Sequence, residues 1–355
     1  MPLTRAAPLS RRTCAWAIPL LAVGWSGSRP AQALALAPAV SQWRDSRALL
    51  GTQIDMVAEG LPAPELARAM DSAFAEIARL SAMMSRYEPG SALSAVNRAA
   101  GLGAVPVPAE LMQVLQAGQA LNRRSDELFD MTVGALKSWH FEPGQTGGMP
   151  RPAQLAREQA LVGTDGLHLD ARASTAYLRR AGMALDLGGV AKLPILAAGL
   201  RKLQAQGVQN ALINGGGDVF YLGRTQGRPW RVGLRDPRHP SQVLGVLALE
   251  GQGLLAASGD YERCFIQDGV RQHHILDPRN GRPSQGPCGV SLLARDVDAV
   301  NGMGAVFMIG GKLAGERALA KNQGSRQKGD VEFLVVERDQ TLWASPGMRQ
   351  SLRKG

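Results

Sequence analysis

Residues 256–283 read AASGDYERCFIQDGVRQHHILDPRNGRP, and we take this stretch as the centre of the fold. Within it, 263–267 is a short run rich in apolar residues and 273–278 is a second one. The dipeptide Asp268-Gly269 lies between the runs, and Asp-Gly is typical of a two-residue hairpin turn. The sequence therefore predicts a β-hairpin here, with a Pro and Gly break after its second strand.

Polar side chains lie at both ends of the predicted hairpin. Ser258 and Asp260 precede its first strand, and His273 and His274 lie in its second. We expect the hairpin to bring these side chains to one end of a sheet and to form a ligand rim there rather than a core. Adjacent histidines on a strand face opposite sides, so only one can point into a site and a two-histidine metal site is not indicated.

A second polar stretch, 186–192, reads DLGGVAK and predicts a strand end, a glycine turn and the start of a helix. Unpaired N–H groups at a helix N-terminus favour a phosphate, and here they lie between the acid Asp186 and the cation Lys192. A Gly-Gly pair also occurs in purely structural turns, so both interpretations stay open. The glycines at 215–217 do not form G-x-G-x-x-G, and a Rossmann fold is not indicated.

Elsewhere the periodicity alternates between helical and extended. Apolar residues at helical spacing predict helices over 64–85 and 108–124, and we expect a third helix to open at 130–134 and a fourth at 157–163. Extended patterns predict strands over 51–58, 211–214, 331–337 and 341–344. This order of elements predicts an α+β fold with mixed sheets and flanking helices.

Composition excludes some classes of function. The 355 residues carry a formal charge of +10 and are 45% hydrophobic, which supports a substantial core. Lys and Arg are scattered rather than clustered on one predicted face, so nucleic-acid binding is not indicated.

The first 35 residues resemble an export signal. Arg11 and Arg12 precede an apolar run over 14–25 that is short for a membrane span, and small residues follow it. The arginine pair is compatible with twin-arginine export and with an ordinary signal. We therefore expect a signal peptide over 1–35, a domain over 41–350 and a periplasmic location. Cys264 and Cys288 would remain after cleavage, and no spacing suggests a zinc site.

Five further blocks agree with the hairpin region in pointing to one family. Together with SGDYER and HHILDPRNGRP they resemble, in order, the ApbE family of FAD:protein FMN transferases. The blocks are MMSRYEPGSALSAVN (83–97), LFDMTVGALKSWHF (128–141), MALDLGGVAK (183–192), ALINGGGDVFYLG (211–223) and WRVGLRDPRHP (230–240).

The resemblance implies a fold, an activity and a set of binding residues. It implies a single domain related to the T-fold and transfer of FMN from FAD to a Thr or Ser of an acceptor flavoprotein, with release of AMP. FAD and the acceptor are the implied partners, with no nucleic acid and membrane contact only through an acceptor. The positions that resemble FAD contacts are Tyr87, Phe129, Asp130, Met131, Asp186, Lys192 and Ile275.

The implied metal is Mg²⁺, and its site departs from the family pattern. Gly189 resembles the position whose backbone carbonyl binds the metal. The family has an acid followed four residues later by Thr, but an ungapped match puts Val300 and Gly304 there. An insertion of Gly302 and Met303 would restore Asp298 as the metal ligand and as the carboxylate that orients or deprotonates the acceptor hydroxyl. A helix N-cap remains the alternative role for Asp298.

Two departures keep other functions open. The family continues Lys-Gly-Tyr where this chain has Lys192-Leu193-Pro194, and the metal-site Thr is missing. An exported flavin carrier without transfer activity and an FAD pyrophosphatase are therefore alternatives. Ser258 with a histidine would suggest a hydrolase, but no G-x-S-x-G surrounds that serine.

Overall fold

The computed structural model describes residues 41–141, 148–321 and 331–353. The predicted signal peptide lies outside these residues. The strands in chain order are β1 (Gln42–Leu49), β2 (Thr52–Glu59), β3 (Val105–Pro106), β4 (Leu167–Asp170), β5 (Thr175–Leu178), β6 (Asn210–Gly215), β7 (Asp218–Gly223), β8 (Trp230–Arg235), β9 (Val243–Leu249), β10 (Gly251–Gly259), β11 (Cys264–Gln267), β12 (Val270–His273), β13 (Leu276–Asp277), β14 (Arg282–Pro283), β15 (Gly289–Ala294), β16 (Val331–Val336), β17 (Leu342–Ala344) and β18 (Leu352–Arg353).

The described helices surround these strands and confirm the α+β class. They are α1 (Ala63–Met84), α2 (Ala92–Arg98), α3 (Ala109–Arg124), α4 (Pro152–Gln159), α5 (Lys192–Ala205), α6 (Val297–Val300), α7 (Met303–Lys321) and α8 (Pro346–Ser351). None of the described helices is long and apolar enough to cross a bilayer.

Eight strands form the central sheet, in the order β1-β2-β6-β7-β10-β15-β16-β17. Every neighbouring pair in this sheet is antiparallel. Strand β1 is not predicted from the sequence, because its exposed and charged residues lack the apolar alternation of a half-buried strand.

Both faces of the central sheet are covered, as the alternation of side chains along its strands requires. Met56 and Leu254 point to the larger core, which α1, α5 and α7 cover. Their chain neighbours Val57 and Leu255 point to a second core, which lies against the three-stranded sheet β18-β9-β8. The central sheet therefore separates two hydrophobic cores.

The sequence predicted the main helices closely. The apolar stripe of α1, with Leu66, Met70, Phe74 and Ile77, is fully buried. Ser91 caps α2, as expected, and accepts the N–H of Ser94.

The hairpin turn is also confirmed, but its second strand begins earlier than expected. Asp268 and Gly269 have φ of 51° and 75°, as a type I′ turn requires, and Gln267 pairs with Val270. The second strand is β12, which ends at His273. Beyond it, β13 pairs with β14 in a separate ribbon.

Two predicted helices differ in the structure. The helix expected to open at 130–134 is only a short 3₁₀ helix over 131–135, which Asp130 caps. The helix expected over 157–163 is α4, which begins at Pro152, because proline suits the first turn.

The segment before α7 is broken rather than continuously helical. Asp296 caps α6 by accepting the N–H of Ala299, and α6 ends after one turn. Gly302 then adopts a φ of 75° before α7 begins, and Gly311 interrupts α7 at a φ of 73°. Residues 297–321 therefore form two helices with a left-handed glycine between them.

Candidate functional site

The candidate site is built around the glycine turn at residues 186–191, which precedes α5. Asn97 at the end of α2 fixes the chain entering this turn. Its Nδ2 donates to the carbonyl of Leu185 at 3.1 Å, and its Oδ1 accepts the Leu185 N–H at 2.7 Å. The Asp186 N–H donates to the carbonyl of Met131 at 2.8 Å. Two distant segments therefore hold the turn in place through its backbone.

The carboxylate of Asp186 faces an arginine across the turn. Its Oδ1 accepts the N–H of Gly188 at 2.7 Å, and its Oδ2 lies 2.9 Å from a guanidinium nitrogen of Arg86. The Arg86 guanidinium is in turn 5.0 Å from the ring centroid of Tyr87. Asp186 and Tyr87, both predicted as flavin contacts, are thus joined through Arg86, which the sequence analysis did not single out.

Tyr87 has the exposure that a stacking platform needs. Its side chain is 59% exposed, although its backbone is fixed by a hydrogen bond from its N–H to Ser85 Oγ. A flat aromatic ring that is exposed on a rigid turn can stack on a heteroaromatic ring without first being uncovered. The placement of Tyr87 suits the contact that the resemblance implies.

Gly189 lies directly against the ring of Phe129. A Cβ at position 189 would be 2.8 Å from Phe129 Cε2, so only glycine fits without moving the ring. Phe129 is itself held at its backbone, because its N–H donates to Ser125 Oγ and its carbonyl accepts Asn122 Nδ2. The structure therefore brings two of the predicted site residues into contact.

Asp130 and Met131 are buried next to Phe129 and support the site from behind. Asp130 accepts the N–H and the hydroxyl of Thr132, and burial raises the pKa of its carboxyl group. Met131 packs its side chain against Gly118. Both side chains are therefore engaged in contacts within the protein. The contact with the turn is made by the Met131 carbonyl, which accepts the Asp186 N–H.

Lys192 begins α5 and forms an ion pair that the sequence did not reveal. Its Nζ lies 2.8 Å from Oδ2 of Asp218, which is only 6% exposed. Asp218 Oδ1 also accepts the N–H of Ala257, at the end of β10. The signal in the sequence that could have marked Asp218 as a site residue is its place directly after the three glycines 215–217. Its partner could not be inferred, because the two residues come from separate segments.

Ser258 follows Ala257 and fills the space beside Gly304. A Cβ at Gly304 would collide with the hydroxyl oxygen of Ser258 and would lie 3.0 Å from its Cβ. Gly304 is the position to which an ungapped match assigns the Thr of the family pattern. In this chain the Ser258 hydroxyl, on β10, therefore occupies the space that a side chain at position 304, on α7, would fill.

The segment before α7 contacts the turn through Asn301. Its Nδ2 donates to the carbonyl of Val190 at 2.9 Å. The carbonyl oxygen of Gly189 lies 3.5 Å from the position of a Cβ on Gly302. Asp298 is exposed. Burial lowers the pKa of Arg124, at the end of α3, and the negative charge of Asp298 partly offsets that lowering. The predicted role of Asp298 as a metal ligand stays a prediction.

The predicted ligand rim is wrong for Asp260 and His273, which are both about 1% exposed. Arg238 binds both carboxylate oxygens of Asp260, at 2.7 and 2.8 Å, because a buried charge requires a partner. His273 Nε2 bonds to the carbonyl of Ser284. Only His274 of the pair is exposed, as the alternation predicted.

Ile275 is partly buried against the larger core. Its carbonyl accepts the N–H of Ser284 at 2.9 Å, and its own N–H bonds to Nδ1 of His273. These bonds fix its backbone, and its role as a flavin contact stays a prediction.

Solved structures share this fold over nearly the whole chain. An ApbE protein from Thermotoga maritima superposes with a TM-score of 0.78 at 26% identity, covering 88% of this chain and all of that one. The flavin transferase ApbE from Vibrio cholerae superposes with a TM-score of 0.75 at 25% identity over the same share of this chain. The fold is therefore that of ApbE flavin transferases.

The family model described as the ApbE family matches residues 50–327. A curated FAD:protein FMN transferase from Klebsiella pneumoniae is 33% identical over 281 residues, which are 76% of this chain and 85% of that protein. One from Rhodobacter capsulatus is 31% identical over 86% of this chain, which spans only 57% of that relative. The chain belongs to the ApbE family, which confirms the resemblance, and the predicted enzyme class is that of its named relatives.

Proposed function

We propose that the protein is an FAD:protein FMN transferase that attaches FMN covalently to a Thr or Ser of an acceptor flavoprotein. The observation that carries this proposal is the convergence on one glycine turn of Arg86, Phe129, Lys192, Asp218 and Asn301. The turn leads into α5, and backbone N–H groups at a helix start favour phosphate oxygens. Two cations at such a turn suit a pyrophosphate.

In the proposed reaction the acceptor hydroxyl oxygen forms a bond to the FMN-side phosphorus of FAD. The bond from that phosphorus to the bridging oxygen breaks, and AMP leaves with that oxygen. The hydroxyl proton passes to a base at the site, for which the resemblance suggests the carboxylate of Asp298.

The residues of the chain have separate tasks in this proposal. Tyr87 stacks on the flavin, and the Phe129 ring fixes the Gly189 backbone beneath it. Arg86 and Lys192 add positive charge beside the pyrophosphate, although each is already paired with a carboxylate. Binding the anionic substrate therefore requires these pairs to loosen or to share their cations.

Mg²⁺ is part of the proposal, as the resemblance implies. The Gly189 carbonyl and the Asp298 carboxylate would hold it, and it would neutralise charge on the pyrophosphate. The described residues contain no group of three His, Cys, Asp or Glu side chains that could hold a metal. Carbonyl, amide and substrate oxygens must therefore provide most of the ligands.

The alternative function is that of an FAD carrier. The observations that favour it are the Leu193-Pro194 departure after Lys192 and the exposed position of Asp298. A carrier would bind FAD at the same turn without releasing AMP. Incubation with FAD, Mg²⁺ and an acceptor domain separates the two, since only a transferase produces AMP together with a fluorescent protein band.

We also propose that the protein acts after export to the periplasm. This rests on the sequence of residues 1–35 alone, with Arg11 and Arg12 before an apolar run. Fractionation of cells that produce the full-length chain tests it. Replacing both arginines by lysine blocks export if the route is the twin-arginine one.

A further inference from the structure

Asn301 carries a buried polar atom that its surroundings leave unsatisfied. The side chain is only 7% exposed, and Oδ1 is fully buried without a hydrogen-bond partner in the described part of the chain. Burying an amide oxygen without a partner costs about 1–3 kcal/mol. Such an atom next to the glycine turn therefore points to a role in binding a ligand.

The orientation of the amide is set by the turn itself. Asn301 Nδ2 donates to the carbonyl of Val190 at 2.9 Å, and a flipped amide would put two oxygens against each other there. The Val190 carbonyl therefore fixes Oδ1 as the atom that stays available. A hydrogen bond that orients a ligating group in this way is common beside bound metals.

A second oxygen belongs to the same junction. Gly302, which follows Asn301, packs against Leu121 and Val190, and the Gly189 carbonyl oxygen lies 3.5 Å from the position of a Cβ there. The left-handed φ of 75° at Gly302 permits this close approach. An amide oxygen and a carbonyl oxygen are hard donors of the kind that Mg²⁺ and Ca²⁺ prefer.

We infer that Oδ1 of Asn301 is a ligand of the divalent cation that the proposed function requires, beside the Gly189 carbonyl oxygen that the resemblance implies. The inference rests on that function for the presence of a cation, and it assigns a residue that the sequence analysis did not consider. It adds a neutral donor to the Asp298 carboxylate and the Gly189 carbonyl, which the resemblance implies as ligands.

The test measures binding of Mn²⁺ as a probe for Mg²⁺, by electron paramagnetic resonance, with FAD present and absent. Asn301→Ala should weaken Mn²⁺ binding at least 10-fold, on the scale of a lost metal-site group. Asn301→Asp should tighten it at least 10-fold, because it adds a charge at the same position. Asn280→Asp, on an exposed loop, is the matched control and should leave binding unchanged.

Thermal unfolding separates a ligand from a structural amide. Asn301→Asp places a carboxylate against the Val190 carbonyl, so its melting temperature should fall without cation and recover with millimolar Mg²⁺. Asn280→Asp should show no such recovery. This readout keeps the inference testable even if Asn301→Ala does not fold.

Two results would overturn the inference. One is that Asn301→Asp and Asn301→Ala both bind Mn²⁺ with the wild-type Kd, and the other is that wild-type protein binds FAD but no Mn²⁺. Failure of the proposed function is a separate result. It appears as absent FAD binding or absent AMP release, whereas Mn²⁺ binding without FAD is measured independently of both.

Discussion

The ammonium of Lys192 lies 2.8 Å from the carboxylate of Asp218, and this pair joins the start of α5 to the end of the three-glycine turn. Lys192 is 28% exposed at its side chain and Asp218 is nearly buried. The pair supplies the opposite charge that a partly buried lysine at this turn requires.

Lys192→Ala should therefore reduce both stability and FAD affinity. It leaves the Asp218 carboxylate buried without its cation, and we expect a loss of about 1–3 kcal/mol in the free energy of unfolding. FAD affinity should fall most at low salt, where screening is weakest. Chemical denaturation and calorimetry measure the two effects.

The double variant Lys192→Ala, Asp218→Asn separates the effect on stability from the effect on FAD affinity. It should regain part of the stability, because the unpaired charge is gone, but it should not regain FAD affinity. If the single variant binds FAD as wild type does at every salt concentration, Lys192 does not contact the substrate.

Tyr87→Ala should weaken FAD binding by about 1–3 kcal/mol, the scale of a lost aromatic stack. Stability should change little, because the ring is mostly exposed. Tyr177→Ala, on β5, is the matched control and should bind FAD normally. Wild-type protein should also bind FAD more tightly than FMN, and equal affinities in calorimetry would argue against a dinucleotide site.

The contact between Gly304 and Ser258 leads to a prediction about packing. Alanine normally stabilises a helix by about 1 kcal/mol relative to glycine. Gly304→Ala should instead destabilise the protein by about 1–3 kcal/mol, because its Cβ meets the Ser258 side chain. Gly90→Ala, which has open space, should be nearly neutral.

Ser258→Ala in the Gly304→Ala background should restore part of that stability, since the hydroxyl oxygen makes the closest contact. A double-mutant cycle in urea measures this coupling. Additive effects of the two substitutions would mean that the side chains do not compete for one space.

His273 predicts a pH dependence of stability. Burial lowers its pKa below the ordinary value of about 6.5. The unfolded chain therefore takes up a proton at a higher pH than the folded protein does. Stability contributed by the neutral imidazole is fully present above pH 6.5 and is lost as the pH falls from there to the lower pKa of the folded protein.

Urea denaturation at pH 7.5 and 5.5 measures this effect. His273→Gln should lose less stability between these values than wild type does, whereas His168→Gln, at an exposed position, should behave like wild type. An equal loss in wild type and His273→Gln would show that other groups dominate acid destabilisation.

Much of the fold followed from local patterns in the sequence. The stripe of α1, the Ser91 cap and the Asp268-Gly269 turn each depend on neighbours within a few residues, so the sequence alone specifies them. Strand β1 was missed because its residues are largely exposed, and pairing with β2 stabilises it instead.

The candidate site was predictable only in part. The sequence marked the glycine turn, but the partners of its side chains come from distant segments. Arg86 contacts Asp186 across 100 positions and Asn301 contacts Val190 across 111. Asp260 was misjudged for the same reason, because its partner Arg238 could not be identified without the fold.

The most direct test of the central claim is the transfer reaction itself. The full-length or exported protein is incubated with FAD, Mg²⁺ and a flavoprotein domain that carries a Thr, and with the same domain after Thr→Val. We predict a fluorescent covalent flavin on the Thr domain only, with one AMP released for each flavin attached, and no product when Mg²⁺ is chelated. FAD binding without AMP release would contradict the account in favour of a carrier, and AMP release without covalent flavin would contradict it in favour of a pyrophosphatase.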